Sequence, residues 1–243
     1  RDVQVCPLYG NLSLQAQQAA IAPVALEGQR LGQRKVVLAT NIAETSLTIE
    51  GVDIVVDTGL AREPVFDPGT GMTRLQTQKI SQASSIQRMG RAGRLRAGRC
   101  YRLWSEAQQQ QLAPQTSPEI LNADLAPLAL QLLSWGVQAP GELRWIDMPP
   151  AGAWQQGIDL LVILGAVAKD NNKHEGSRWV LTPHGIRLAA LPLHPRLGHL
   201  LLAGAEVGEL KTAALLASLL SDRDPMSQEN PDISQRLAIL RGD

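Results

Sequence analysis

Two short, continuously apolar runs limit most strongly what this chain can fold into. They are VVLA at residues 36–39 and IVV at residues 54–56, and a segment rich in Thr and Ser joins them. Uninterrupted apolar runs of this length are typical of parallel strands that are buried on both faces of a sheet. The segment VQVCPLY at 3–9 predicts another strand, with a helix from about Ser13 after it. The sequence therefore predicts an α/β fold for this part of the chain.

Positive charge is concentrated in the stretch SQASSIQRMGRAGRLRAGRCYR at residues 81–102. Its six arginines stand at positions 88, 91, 94, 96, 99 and 102. Ser81 or Ser84 is a favourable helix N-cap, and Gly93 is a residue at which a helix readily stops. The stretch therefore predicts a helix that runs from about Ser81 to Gly93.

Three polar side chains share one face of that predicted helix. Gln87, Arg91 and Arg94 stand at i, i+4 and i+7, spacings that bring side chains together on a helix surface. Guanidinium groups donate in a planar, bidentate geometry that suits phosphate oxygens, so this face predicts phosphate contacts. The spacing alone leaves a second interpretation open, a hydrated basic helix without a ligand.

The loop after the run at residues 36–39 is a second candidate for phosphate contacts. In open α/β sheets, ligands bind at loops that follow the carboxyl ends of strands. Thr40, Asn41 and Thr45 lie in such a loop, where hydroxyl, amide and backbone N–H groups are able to hold a phosphate backbone without reading bases. The same side chains are equally suited to capping the next turn, so chemistry alone leaves both roles open.

Residues 60–80 are predicted to form a β-hairpin. Strands are expected at 62–66 and 72–78, on either side of the sequence DPGTG. Pro68 followed by Gly69 is typical of a type II turn, which needs positive φ at the glycine. From the residues alone, an ordinary surface hairpin without a function is as good an interpretation as a functional one.

The chain changes character from about Gln108. Four consecutive glutamines, Pro114 and Pro118 predict an exposed connection between domains. Leucines at 121, 125, 128 and 132 predict a helix that ends at Gly136, and Pro127 requires that helix to start nearby or to kink. After it, the pattern predicts a helix at about 154–165, a polar turn at 170–177, a strand at 178–181, helices at 184–191, 196–207 and 209–221, and a further amphipathic element that Leu237 and Leu240 begin.

Composition narrows the class of protein. No apolar run approaches the ~20 residues of a membrane span, and 44% hydrophobic with 19% charged residues predicts a globular protein without a membrane partner. Two cysteines cannot form a disulfide framework, so a cytoplasmic location is expected. Histidines at 174, 184, 194 and 199 show no metal-ligand spacing.

Net charge is divided unevenly along the chain. Residues 1–112 carry 13 Lys and Arg against 9 Asp and Glu, whereas residues 113–243 carry 10 against 14. The basic half contains the arginine-rich stretch, a distribution that suits phosphate contacts.

Several ordered motifs resemble those of the DEAH/RHA-type superfamily 2 ATP-dependent RNA helicases over essentially the whole chain. QRMGRAGR resembles motif VI, ATNIAETSLTI resembles motif V, and PLYGNLS, TGMTRL, SPEIL and LTPHGIRLAALPLHPRL stand in matching order. LLSWG, WIDMPP and LLSDRDP are similar to segments of the bacterial HrpB branch. The resemblance implies a second RecA-like domain with an incomplete parallel sheet at 1–112, a winged-helix domain at 113–182 and the start of a ratchet-like helical bundle at 183–243.

The resemblance also implies roles for individual residues. Arg91 and Arg94 correspond to arginine fingers, and Gln87 corresponds to a residue on the γ-phosphate side of ATP. Glu50 corresponds to an acidic residue that contacts the ATP ribose, although the family often has Asp there, and Arg88 is placed in the same nucleotide site. A separate set, Thr40, Asn41 and Thr45, corresponds to residues that contact the backbone of single-stranded RNA.

One position departs from the family's pattern. Relatives often place an aromatic residue before motif V to stack on adenine, and the position that aligns with it here is Ile21. An aliphatic side chain offers apolar contact without stacking, which suits relaxed choice among nucleotides. An ordinary core role for Ile21 is an equally open alternative.

The sequence lacks two motifs that an ATPase of this family needs. It contains no Gly-Lys pair, hence no GxxxxGK[ST] P-loop, and no Asp-Glu pair, hence no DExH box. We therefore expect a fragment of a larger enzyme, whose first RecA-like domain supplies the ligands of Mg and the main ATP site. Such a fragment is expected to be inactive alone. The alternative from another class is a non-catalytic module that binds nucleic acid, DNA included, or docks a partner.

Overall fold

The computed structural model describes residues 3–23, 34–45, 49–94, 96–170, 178–221 and 232–242. The chain divides into two compact units, Arg1–Asn122 and Ala123–Asp243. Strands dominate the first unit and helices dominate the second. No helix among the described residues is both long enough and apolar enough to cross a membrane.

The first unit is built around two pairs of parallel strands and one hairpin. Its strands and helices are β1 (Val3–Leu8), α1 (Leu14–Ile21), β2 (Arg34–Ala39), α2 (Ile42–Thr45), β3 (Ile54–Asp57), β4 (Leu60–Asp67), β5 (Met72–Lys79), α3 (Gln82–Met89), β6 (Arg99–Arg102) and α4 (Glu106–Gln110). β1 pairs in parallel with β2, and β3 pairs in parallel with β6. The predicted α/β fold is confirmed.

Along most of each parallel strand, exposed residues alternate with partly buried or buried ones. Along β1, Cys6 and Leu8 are buried, while Val5 before them and Pro7 between them are exposed. On β3, Ile54 and Val56 are 58% and 62% exposed. The prediction that both faces of the apolar runs are buried is therefore wrong for the described residues, because a single layer formed around α1 covers only one side of β1.

The predicted hairpin is confirmed in β4 and β5. The strands pair antiparallel from Leu60 opposite Lys79 to Asp67 opposite Met72. In the turn, Gly71 has a φ of 66° and Gly69 does not have positive φ, so the type II turn predicted at Pro68 and Gly69 is wrong. Instead the Asp67 carboxylate accepts from the Gly69 N–H and the Thr70 hydroxyl, both at 2.9 Å.

α3 begins as predicted but ends earlier. Ser81 is the N-cap, and the helix ends at Met89 with Gly90 as C-cap, so the predicted end at Gly93 is wrong. After Gly90, the Ala92 N–H donates to the Met89 carbonyl at 3.1 Å, which tightens the chain into a turn. Ala92 is buried against Gly98, where any side chain would collide with the Ala92 carbonyl. Arg91 and Arg94 therefore follow the helix and do not share a helix face with Gln87.

The segment after α4 accepts hydrogen bonds from the first backbone N–H groups of α3. The Gln82 N–H donates to the Ala113 carbonyl at 2.8 Å, and the Ala83 N–H donates to the Pro114 carbonyl at 3.1 Å. Leu112 beside them is buried. The predicted exposed connection from Gln108 is thus wrong in part, because α4 forms there and the chain after it is fixed to α3.

The second unit is mainly helical. Its helices and strands are α5 (Ala126–Ser134), α6 (Ala151–Ile163), β7 (Val167–Asp170), β8 (Arg178–Leu181), α7 (Pro183–Ala189), α8 (Pro195–Glu206), α9 (Leu210–Ser221) and α10 (Ile233–Arg241). The predicted helices form with small shifts, and α5 begins at Ala126, as Pro127 requires. β7, antiparallel to β8, was not predicted. Most of the polar turn predicted at 170–177 lies outside the described residues.

Candidate functional site

α2 is anchored so that the loop before it faces solvent. Ile42 and Ala43 contact a buried cluster formed by Cys6, Leu8 and Ala20. Thr40 is held by its backbone, since its N–H donates to the Leu8 carbonyl at the end of β1 at 3.1 Å. The side chains at positions 40 and 41 remain exposed, as a contact with an extended ligand requires.

The predicted nucleic-acid contacts therefore lie together at one edge of the unit. Thr40 and Asn41 precede α2, and Thr45 is its last residue. The side chain of Thr45 lies outside the described part of the structure. The Asn41 carbonyl accepts from the Glu44 N–H at 2.9 Å, so a backbone hydrogen bond joins the loop to the short helix.

Arg88 joins three separate elements through its guanidinium group. Nε donates to Glu44 Oε2 of α2 at 3.0 Å. Nη1 donates to Asp57 Oδ1 at the end of β3 and to the Leu60 carbonyl at the start of β4, each at 3.0 Å. We call Glu44, Asp57, Arg88 and the Leu60 carbonyl the Arg88 network.

The Arg88 network is shielded from water. The side chains of Arg88, Glu44 and Asp57 are 14%, 13% and 2% exposed. Asp57 Oδ1 also accepts from the Gly59 N–H at 3.0 Å, whereas Asp57 Oδ2 is buried without a hydrogen-bond partner in the described structure. Since an uncompensated buried carboxylate is costly, the charge of Arg88 is needed where it lies.

Arg91 contacts the same α2 residue. Its Nη2 donates to the backbone carbonyl of Glu44. Partial burial, and then the charge of Arg94, lower the pKa of Arg91 below the ordinary arginine value, while Glu44 opposes the shift. Arg94 and Gln87 are exposed. The turn after α3 thus carries cationic groups at the surface, beside the loop with Thr40 and Asn41.

The other two predicted nucleotide contacts lie elsewhere in the unit. Ile21 is partly buried and contacts the cluster of Cys6, Leu8 and Ala20. Glu50 is exposed in the turn before β3. The structure therefore places Ile21 at the edge of the core and Glu50 at the surface.

This arrangement suits an anionic ligand better than a metal ion. Arg88 engages the carboxylates of both Glu44 and Asp57, and the described residues contain no cluster of three or more His, Cys, Asp or Glu side chains able to hold a metal. The arginines, in contrast, are suited to phosphate groups. The roles of Glu44 and Asp57 were not predicted, although an Asp directly after the apolar run IVV was a usable signal.

Comparison with known protein families gives an independent result. A model of the helicase conserved C-terminal domain matches residues 1–96. The chain is 46% identical over 232 residues to the ATP-dependent RNA helicase HrpB of Escherichia coli, an alignment that covers 96% of the chain and 27% of that protein. It is 37% identical over 225 residues to the ATP-dependent RNA helicase HrpA of the same organism, covering 93% and 16% respectively.

Solved structures agree with the sequence comparison. A crystal structure of the Escherichia coli DEAH/RHA helicase HrpB is similar with a TM-score of 0.81 at 42% identity, and the similarity covers 100% of this chain and 30% of that one. The chain thus spans about a quarter of the length of HrpB, its curated relative.

Proposed function

From the chain's place among the DEAH/RHA helicases, as a relative of HrpB, we propose that it is the part of an ATP-dependent RNA helicase that supplies arginine fingers and RNA-backbone contacts. One observation carries the proposal. Arg91, a proposed finger, donates to the backbone of the short helix that follows Thr40 and Asn41. A group proposed to meet ATP is therefore connected through Glu44 to the turn that holds the groups proposed to meet RNA.

The proposed chemistry assigns separate tasks to the residues around motif VI. Arg91 and Arg94 stabilise negative charge on the γ-phosphoryl group as its bond to the leaving oxygen breaks. Arginine fingers contribute on the order of 10³–10⁵ to the rate in well-studied NTPases. Gln87 orients the attacking water, and Glu50 contacts the ribose. Burial of Arg91 strengthens its effect, since less solvent screens its charge.

The main ATP site and the ligands of Mg are proposed to lie on a first RecA-like domain. The described residues contain no group of three or more His, Cys, Asp or Glu side chains that could hold a metal ion, and no P-loop sequence occurs in the chain. Without such a domain, the chain is proposed to be inactive toward ATP. We call the polypeptide that joins this chain to a P-loop domain the parent protein.

RNA is proposed to run along the exposed turn that holds Thr40, Asn41 and Thr45. Contacts with the phosphate backbone do not read bases, so binding is expected to be independent of sequence. Single-stranded DNA is bound as well unless the 2′-hydroxyl is read. Closing and opening of the cleft that holds ATP then shifts these contacts along the strand.

The proposed domain order remains the one that the motifs imply. A second RecA-like domain occupies 1–112, and the parallel strands support it. A winged-helix domain at 113–182 is supported by the hairpin of β7 and β8 beside α5 and α6. Residues 183–243 begin a ratchet-like bundle, supported by α7 to α10. The two free cysteines suit a cytoplasmic location.

The proposal is tested by the ATPase activity of the parent protein, with and without single-stranded RNA. Arg91→Ala is expected to lower RNA-stimulated turnover by about 10³-fold or more, the range of other arginine fingers, while RNA affinity stays unchanged. The matched control is Arg96→Ala, because Arg96 belongs to the same stretch but forms an exposed ion pair with Asp53. Comparable turnover in wild type and Arg91→Ala would overturn the finger assignment. No turnover in the wild-type protein would favour a non-catalytic module.

A further inference from the structure

We propose that the Arg88 network is a positioning device that transmits RNA binding at residues 40–45 to the turn that carries Arg91 and Arg94. This inference rests on the proposed function. In it Arg88 contacts protein groups and does not bind the nucleotide, which departs from the role that the family resemblance implied.

The donors of Arg88 support this assignment. A guanidinium has one N–H on Nε and two on each Nη. Glu44 takes the Nε hydrogen, and Asp57 with the Leu60 carbonyl takes both hydrogens of Nη1. Three of the five N–H groups of Arg88 are therefore held by protein acceptors, two of them in charge-assisted hydrogen bonds, and the side chain is largely shielded from water.

The network connects elements that are far apart in the sequence. Arg88 lies 44 residues from Glu44, 31 from Asp57 and 28 from Leu60. Leu60 begins the hairpin, and Asp57 also holds the Gly59 N–H in the tight turn before it. A shift of α2 therefore acts on α3 and on the base of the hairpin together.

Arg88 and Arg91 both contact the turn proposed to face RNA through the same residue, Glu44. Its carboxylate accepts from Arg88 and its backbone carbonyl accepts from Arg91. Because Glu44 N–H is bonded to Asn41, a displacement of Asn41 by RNA moves both acceptors. The carboxylate is the part of this connection that a substitution removes without changing the backbone.

The experiment compares Glu44→Ala with Asp53→Ala in the parent protein. Both substitutions remove a carboxylate that pairs with an arginine of residues 88–96, but the Arg96–Asp53 pair is 68% and 41% exposed. Turnover is measured without RNA and with saturating single-stranded RNA, together with KM for ATP and Kd for RNA. Glu44→Gln serves as the conservative variant, because its amide oxygen still accepts from Arg88.

Glu44→Ala is expected to lower the stimulation of kcat by RNA about tenfold, since coupling between sites typically amounts to roughly 5- to 150-fold. Turnover without RNA and KM for ATP stay unchanged, Glu44→Gln recovers part of the stimulation, and Asp53→Ala behaves as wild type. Asp57→Asn is expected to reproduce the loss if the protein folds.

Two results would overturn the inference alone. One is an equal fall of turnover with and without RNA in Glu44→Ala, which indicates a general structural role. The other is a tenfold rise of KM for ATP in Arg88→Lys, which returns Arg88 to the nucleotide site. A wild-type protein without RNA-stimulated turnover is a different result, because it overturns the proposed function and this inference together.

Discussion

The interiors of the two units of the chain are stabilised by different kinds of interaction. All four buried polar or charged residues in the described structure, Asp57, Ser81, Ser84 and Ser85, lie in the first unit. In the second unit the buried positions of α5 and α6 are apolar or glycine, and Gly157 lets the two helices approach so closely that a Cβ there would lie 3.0 Å from the Ala126 nitrogen.

This difference fits the proposed function, in which every named site residue lies in the first unit. Hydrogen bonds between buried polar groups are directional, so they fix the positions of specific side chains such as Arg88. Apolar burial is not directional and supplies most of the stability of a fold. The first unit thus has the interactions that a site needs, and the second has those of a scaffold.

The largest expected effect on the free energy of unfolding is found by comparing a buried isoleucine of the second unit with an exposed one of the first. Ile158→Ala in α6 removes a side chain that is 0% exposed, and we expect a loss of about 2–5 kcal/mol of unfolding free energy, because a cavity remains. Ile54→Ala in β3 serves as the control. That side chain is largely exposed, and its loss is expected to cost about 1 kcal/mol or less.

The measurement for this pair is urea unfolding of the chain followed by tryptophan fluorescence. Four of the five tryptophans, at positions 135, 145, 154 and 179, lie in the second unit. Hydrogen exchange reports on the first unit. Equal losses in the two variants would show that apolar burial does not distinguish the units.

An intermediate effect is expected at the helix caps of the first unit. Ser81 accepts from the Ser84 N–H at 3.0 Å in a buried setting and contacts the Thr116 hydroxyl at 3.2 Å in a partly buried one. Ser81→Ala is therefore expected to lower the free energy of unfolding by about 1–2 kcal/mol. Ser13 caps α1 at the surface with a longer bond of 3.3 Å, and Ser13→Ala is expected to cost about 0.5 kcal/mol. Hydrogen exchange of the α3 amides measures the effect of Ser81→Ala. If these amides exchange at the same rate in Ser81→Ala and Ser13→Ala, the expectation for Ser81 is contradicted.

The smallest expected effect is a pH dependence in the second unit. His184 Nε2 lies 2.9 Å from His199 Nδ1. Burial, followed by the charges of His199 and Arg187, lowers the pKa of His184 below 6.5, and Glu206 opposes the shift. A histidine with a lowered pKa favours the fold while it is neutral. Its contribution is therefore complete above pH 6.5 and decreases as the pH falls below that value.

The comparison for this effect is His184→Gln, which removes the titrating group. Between pH 7.5 and 5.5, the wild-type chain is expected to lose more unfolding free energy than the variant. Parallel pH profiles of wild type and His184→Gln would refute the assignment.

The sequence predicted elements well where the signal was local. Three helix starts depend only on neighbouring residues: that of α1 near Ser13, that of α3 at Ser81, one of the two predicted N-caps, and that of α5 near Pro127. The end of α3 was wrong because it is decided by contact between Ala92 and Gly98, which no helix rule includes. β7 was missed because its four residues, VAKD, show too little pattern.

The candidate site was predictable only in part for the same reason. Family motifs identified the arginines and the loop at residues 40–45. The partners of Arg88 are 28 to 44 residues away in sequence, so their pairing depends on the tertiary fold. Exposure of Ile54 and Val56 was likewise unpredictable from an apolar run, because the run does not show which layers cover a strand.

The first N–H groups of α3 are already hydrogen-bonded within the protein, which limits the groups that can present positive charge to a phosphate. Many phosphate sites use the free N–H groups at the start of a helix, whose dipole is positive there. In α3 the carbonyls of Ala113 and Pro114 occupy those groups. The cations stand instead at the carboxyl-terminal end, where the dipole is negative and stabilises Arg88. Positive charge on side chains, unlike backbone charge, is withdrawn by a simple rotation about single bonds. A proposed finger in the turn after such a helix therefore works as a reversible contact and not as a permanent cradle.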